Sequence, residues 1–149
     1  MLKRYTFWLS AAVLFQFITA LVHSLSLFIK VPPTNDTEAQ LQTLITTYHI
    51  SAGAGFSPTY GDLFTALSSC FTFLCVFAGM TNGYLLIKHA EPTLMKGILA
   101  INVAVFGVVF LVMAVFTFLP PIICTGMIFI NLLAAYIVIP KIESAVEEI

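Results

Sequence analysis

The chain has 149 residues, of which 60% are hydrophobic and only 9% charged; its formal net charge is −1 and its mean hydropathy +1.02. A soluble domain has about a quarter of its residues charged; here there are too few charges to solvate a globular surface, and the apolar surface is assigned to lipid. The near-zero net charge and the lack of any basic stripe exclude a nucleic-acid footprint.

Four long apolar stretches follow one another, at about 6–29, 62–87, 94–118 and 121–140. Each is near or above the ~20 residues that a helix needs to cross ~30 Å of hydrocarbon. None shows the short alternating pattern of a barrel strand. The expected fold class is therefore all-α: an integral membrane four-helix bundle over residues 1–149, a single transmembrane domain, with a long outer loop at 30–61 carrying an amphipathic helix.

The first stretch follows Lys3 and Arg4, as a signal peptide's apolar core would. Such cores run to only ~7–15 residues, and no convincing cleavage site follows, so a retained helix is expected. Within it Ala12, Gln16, Thr19, His23 and Ser26 recur at helical spacing and share one face. In lipid, small and polar residues mark helix contacts, and an ionisable residue such as His23 is a functional hypothesis by default.

The loop "VPPTNDTEAQLQTLITTYHISAGAGFSPTYG" comes next. Asn35 or Asp36 is placed to cap a short helix, with Glu38 in its first turn. Leu41, Leu44, Ile45 and Tyr48 then repeat at i, i+3, i+4 and i+7. The result is an amphipathic helix, lying on the membrane surface or forming a lid over a cavity. Ser57 and Pro58 are expected to start the next helix.

In the second stretch Asp62, Thr65, Ser69 and Thr72 form a polar stripe that Gly79 and Gly83 extend. His23 lies about 10 Å below the exit of span 1 at ~1.5 Å per residue, which puts it level with Thr65 and Ser69. In the third stretch Gly97, Ala100, Ala104, Gly107 and Ala114 read as a small-residue packing face. Asn102 lies off that face and, like Asn131 on the fourth span, reads as interhelical glue. "TFLPPIIC" ends the third helix and starts the fourth, with Pro121 at its first position and the two helices as a tight hairpin. Cys70, Cys75 and Cys124 lie inside apolar runs without a C-x-x-C spacing and read as small buried hydrophobes.

Lys3 and Arg4 precede span 1, Lys88 and Lys96 lie between spans 2 and 3, and Lys141 follows span 4; only Lys30 falls on the other side, with Asp36, Glu38 and Asp62. The positive-inside rule then puts both termini in the cytoplasm.

Known four-span classes fit poorly. Small multidrug transporters carry an acid in the first helix, where this chain has Gln16, and quinone-linked disulfide enzymes need paired loop cysteines. With its late histidine in helix 1, "GDLFTALSSCFTFLCVFAGMTNGYLL" and "FTFLPPII", the chain resembles a diffuse group of small bacterial four-span membrane proteins. That resemblance implies the fold and brings no catalytic residues, cofactor or metal.

The expected role is non-enzymatic: binding an apolar or amphiphilic ligand, or a partner protein, near the outer leaflet. His23, Asp62, Ser26, Thr65, Ser69 and Gln16 would line the site. The alternative is a small proton-coupled transporter, a homodimer, in which His23 and Asp62 titrate; a membrane-embedded enzyme comes third.

Overall fold

The structure is a computed structural model that describes residues 4–29 and 31–140. Lys3, Lys30 and Lys141, which entered the orientation argument, lie outside the described residues. Among the described residues the chain is all-helical: α1 (Tyr5–Ser26), α2 (Asp36–Thr47), α3 (Tyr60–Ile87), α4 (Pro92–Phe116) and α5 (Leu119–Val138). All but α2 are long and apolar enough to cross a membrane. In α4 only 11% of the most apolar window is buried within the protein, so much of its apolar surface has no protein partner, as a lipid-facing helix would have it. Two compact units are formed, one from residues 4–19 and 75–140 and the other from Ala20–Leu74; α1 and α3 contribute to both.

In the first unit α4 and α5 pack along one another. Their contact is reciprocal. A Cβ on Gly107 of α4 would stand 3.1 Å from the Phe129 ring, and one on Gly126 of α5 would stand 3.2 Å from Phe110. The two rings stack at 6.0 Å, nearly parallel. Each glycine makes room for the other helix's phenylalanine, which gives dense packing where burial from water is not the driving force. α1 meets α3 in the same way: Gly79 faces Phe17 and Gly83 faces Val13, pairs whose order shows the two helices antiparallel.

The buried face of α4 differs from the expected one. Gly97, Ala100, Ala104 and Ala114 are exposed, and Gly97 has nothing near it. Met95, Leu99 and Phe106 are buried instead, with Asn102 half-buried on the same side. Large side chains fill the space between helices there, and of the small stripe only Gly107 packs.

Two helix junctions also depart from expectation. α4 ends at Phe116, where extended Thr117 caps it through its N–H to the Met113 carbonyl. α5 starts at Leu119, so Pro120 and Pro121 both lie in its first turn, where the missing N–H groups would have had no intrahelical partner. α3 closes with a Schellman turn. The Ala90 N–H donates to the Leu85 carbonyl and the His89 N–H to that of Leu86, with His89 at φ +49 in the position glycine usually takes.

In the second unit, residues 27–59 join α1 to α3. Asn35 Oδ1 accepts from the Glu38 N–H at 2.9 Å, while Glu38 Oε2 accepts from the Thr34 N–H at 2.7 Å and from its hydroxyl at 2.6 Å. Of the two caps the sequence offered, Asn35 and Asp36, it is Asn35 that caps α2, and Glu38 reaches back to Thr34 in the manner of a capping box. The pair of Thr34 donors holds the Glu38 carboxyl below its ordinary pKa. Past α2 the chain makes a narrow turn tied by Ile50 N–H to the Pro58 carbonyl and Ala52 N–H to that of Phe56. Gly53, Ala54 and Gly55 at its tip all have positive φ, so Ala54 is the residue there that a glycine would relieve.

Candidate functional site

α3 starts at Tyr60, with Thr59 before it, rather than at Pro58 behind a Ser57 cap. Asp62 Oδ2 accepts from both the N–H and the hydroxyl of Thr59, each at 2.8 Å, and Thr59 Oγ1 accepts from the Asp62 N–H at 3.1 Å. An aspartate and a threonine three residues apart thus cap the helix for each other. Gly61 lets α2 come close: a Cβ there would stand 3.3 Å from the Ile45 carbonyl oxygen. Asp62 is exposed and its carboxylate is engaged in this cap.

The other expected site residues fall into three groups. Ser26 and Thr65 are exposed and Ser69 is half-buried. Their chemistry turns back on the main chain: Ser26 Oγ donates to the His23 carbonyl at 2.6 Å and Ser69 Oγ to the Thr65 carbonyl at 2.7 Å. Hydroxyls in apolar helices commonly bond in this way, and they then have little to offer a ligand.

His23 is half-buried and packs its ring edge-on against Phe71, with centroids 5.0 Å apart. The Ser68 main chain lies within its hydrogen-bonding reach. Its Nε2 is buried and has no hydrogen-bond partner among the described residues, and the same is true of Thr72 Oγ1. Ser68, Phe71 and Thr72 share one face of α3 through their i, i+3 and i+4 spacing, so His23 meets a face that ends in an unpaired hydroxyl. Of the stripe expected through Asp62, Thr65, Ser69 and Thr72, Thr72 lies on this face, while Asp62 and Thr65 are exposed and Asp62 is held in its cap.

Gln16 belongs to a different cluster, in the unit of residues 4–19 and 75–140. It is completely buried, as is Asn82 on α3. Asn82 Nδ2 donates to Gln16 Oε1 at 3.3 Å and to Asn102 Oδ1 of α4 at 3.4 Å, and Asn102 Nδ2 donates to the Ile98 carbonyl at 2.9 Å. Three helices are joined by three carboxamides. Asn82 is the residue that sequence reasoning passed over. Its signal was its place between Gly79 and Gly83, three residues beyond one and next to the other, on the stripe already read as facing inward.

Among the described residues no three His, Cys, Asp or Glu side chains come together as a metal site. All three cysteines are free thiols: Cys75 is buried and Cys124 half-buried, but Cys70, expected to be buried, is exposed. Comparison with protein families, with curated proteins and with solved structures finds no match to this chain.

Proposed function

We propose that this chain is a four-span integral membrane protein, with both termini on the cytoplasmic side, that binds an amphiphilic molecule non-enzymatically through the unit of Ala20–Leu74. The orientation rests on Arg4, Lys88 and Lys96 at one set of helix ends and Asp36, Glu38 and Asp62 at the other. The group of small bacterial four-span proteins that the chain resembles is the class in which this reading puts it. α2 then lies in the outer interface. Its Leu41, Leu44 and Tyr48 are exposed, and Tyr48 stacks on Tyr60 in the first turn of spanning helix α3, with ring centroids 6.4 Å apart. That stack, which ties the end of the apolar row of α2 to the first turn of α3, supports an interfacial position for α2.

The observation that carries the binding reading is the buried, unpartnered Nε2 of His23, whose ring packs on Phe71 of α3, the neighbour in sequence of Thr72, whose buried hydroxyl is also unpartnered. A buried polar atom left unpaired costs roughly 1–3 kcal/mol. A ligand headgroup bearing a hydroxyl would serve both atoms, and its apolar tail would lie along exposed Leu67, one turn from Phe71 on α3.

The test is photolabelling of the full chain in nanodiscs with a diazirine-bearing long-chain alcohol. Labelling of Ala20–Leu74 should be saturable and lost in His23→Ala, weakened in Thr72→Val, and retained in Asp62→Asn. Labelling that His23→Ala leaves unchanged would remove the basis of the reading.

A further inference from the structure

The carboxamide cluster around Gln16 has bonding capacity left over, and it lies outside the site just described. Gln16 Nε2, Asn82 Oδ1 and Thr19 Oγ1 are all buried and have no hydrogen-bond partner among the described residues. Gln16 and Asn82 are wholly inaccessible and Thr19 is 4% exposed. Gln16 ties the set together, touching Asn82 across α1 and α3 and standing one turn from Thr19 along α1. Asn82 already donates to Gln16, and Thr19 follows Gln16 by three residues, which puts it one turn along the same face of α1. All belong to the unit of residues 4–19 and 75–140.

The chemistry of the open atoms narrows the guest. An amide nitrogen only donates, an amide oxygen only accepts, and a hydroxyl does either. No carboxylate and no cationic side chain belongs to the set, so nothing in it offsets the charge of an ion, whose transfer into an apolar interior is far more costly than that of a neutral group. The guest must be neutral, small enough for a packed interior, and able to accept from one amide while donating to another. We propose that Gln16, Asn82 and Thr19 form a buried water site in the membrane-crossing part of this unit. A buried water makes about three hydrogen bonds to groups that otherwise lack partners, which matches the three open atoms. Direct closure of Gln16 Nε2 onto Asn82 Oδ1 is the competing arrangement, and it would strand the Thr19 hydroxyl.

The two are distinguished by water-selective NOE spectroscopy on the side-chain amides of the full chain in nanodiscs. Asn131 is the internal control, since it is also buried and its Nδ2 already donates to the Met127 carbonyl at 2.7 Å. The expected result is a water cross-peak at the Gln16 amide and none at Asn131. Thr19→Val, which keeps the shape and removes the hydroxyl, should weaken the Gln16 cross-peak, and Asn82→Leu should abolish it. If Asn82→Leu does not fold, the Thr19→Val comparison decides alone. No water contact at Gln16, a contact untouched by Thr19→Val, or an equal contact at Asn131 would each overturn the proposal.

Discussion

Gln16 and His23 stand on one face of α1, about two turns apart, and their surroundings differ in kind. Gln16 is wholly enclosed and shares its carbonyl with Asn82, which in turn reaches Asn102. His23 is half-buried, its ring lies edge-on to Phe71, and its Nε2 bonds to nothing among the described residues. Carboxamides carry a donor and an acceptor on the same group, so a few of them can link helices with no other chemistry. A neutral imidazole also carries one donor and one acceptor, but here the Ser68 main chain can serve only one of its nitrogens. Both regions leave polar atoms unpaired; the amide region is wholly enclosed and links three helices, whereas His23 is half-buried and joins α1 to α3 alone.

The contrast breaks most sharply at Asn82. Asn82→Ala leaves Gln16 and Asn102 without their shared donor and opens a cavity, and should lower unfolding free energy by roughly 2–3 kcal/mol. His23→Ala should lower it by no more than about 1 kcal/mol, the worth of one aromatic edge contact, while abolishing amphiphile labelling. Reversible unfolding in bicelles measures both variants. Equal losses would mean that His23 is as structural as Asn82.

A second test asks whether dense packing within the amide-bearing unit is confined to the α4–α5 contact. Gly107→Ala and Gly126→Ala each set a methyl within 3.1–3.2 Å of a phenylalanine ring, and each should cost about 1–2 kcal/mol by overpacking. Gly97→Ala, where no atom lies within 4 Å, should be close to neutral. The same unfolding assay reads the difference, and similar effects at Gly97 and Gly107 would contradict the reciprocal packing.

Smaller effects sharpen the picture. His89 occupies the left-handed position that ends α3, so His89→Gly should raise stability by about 0.5–1 kcal/mol; a loss in the same assay would mean that the imidazole has a bonding role. The smallest effect is in α2. Thr34 holds the folded-state pKa of Glu38 below its unfolded value, so this contribution is complete above the ordinary carboxylate range. It is lost as pH falls through the depressed folded value. The protection of the α2 amides, taken relative to the intrinsic exchange rate at each pH, should therefore fall on acidification, with that of α4 unaffected. Glu38→Gln should flatten the response, and a pH profile unchanged in that variant would show that another group governs α2.

Much of the architecture was legible because hydropathy and helical period are local properties. The spanning stretches, the cap at Asn35 and the inward turn of Ala12, Gln16 and Thr19 could all be read from spacing. Partnerships were harder, because they depend on register between helices far apart in sequence. Gln16 was visible but Asn82 was not, since nothing short of the antiparallel pairing of Phe17 with Gly79 brings the two together. Asp62 misled for the opposite reason. Its strongest partner is Thr59, three residues away, and a local cap takes precedence over a distant imidazole.

Only Thr117 and Phe118 separate α4 from α5. So short a tether has no slack, and the two rods can part only like tongs, pivoting at that end. Lys96 closes the far end, its ammonium 5.7 Å from the Tyr136 ring, so anything that wedges the tongs open must first undo that clasp.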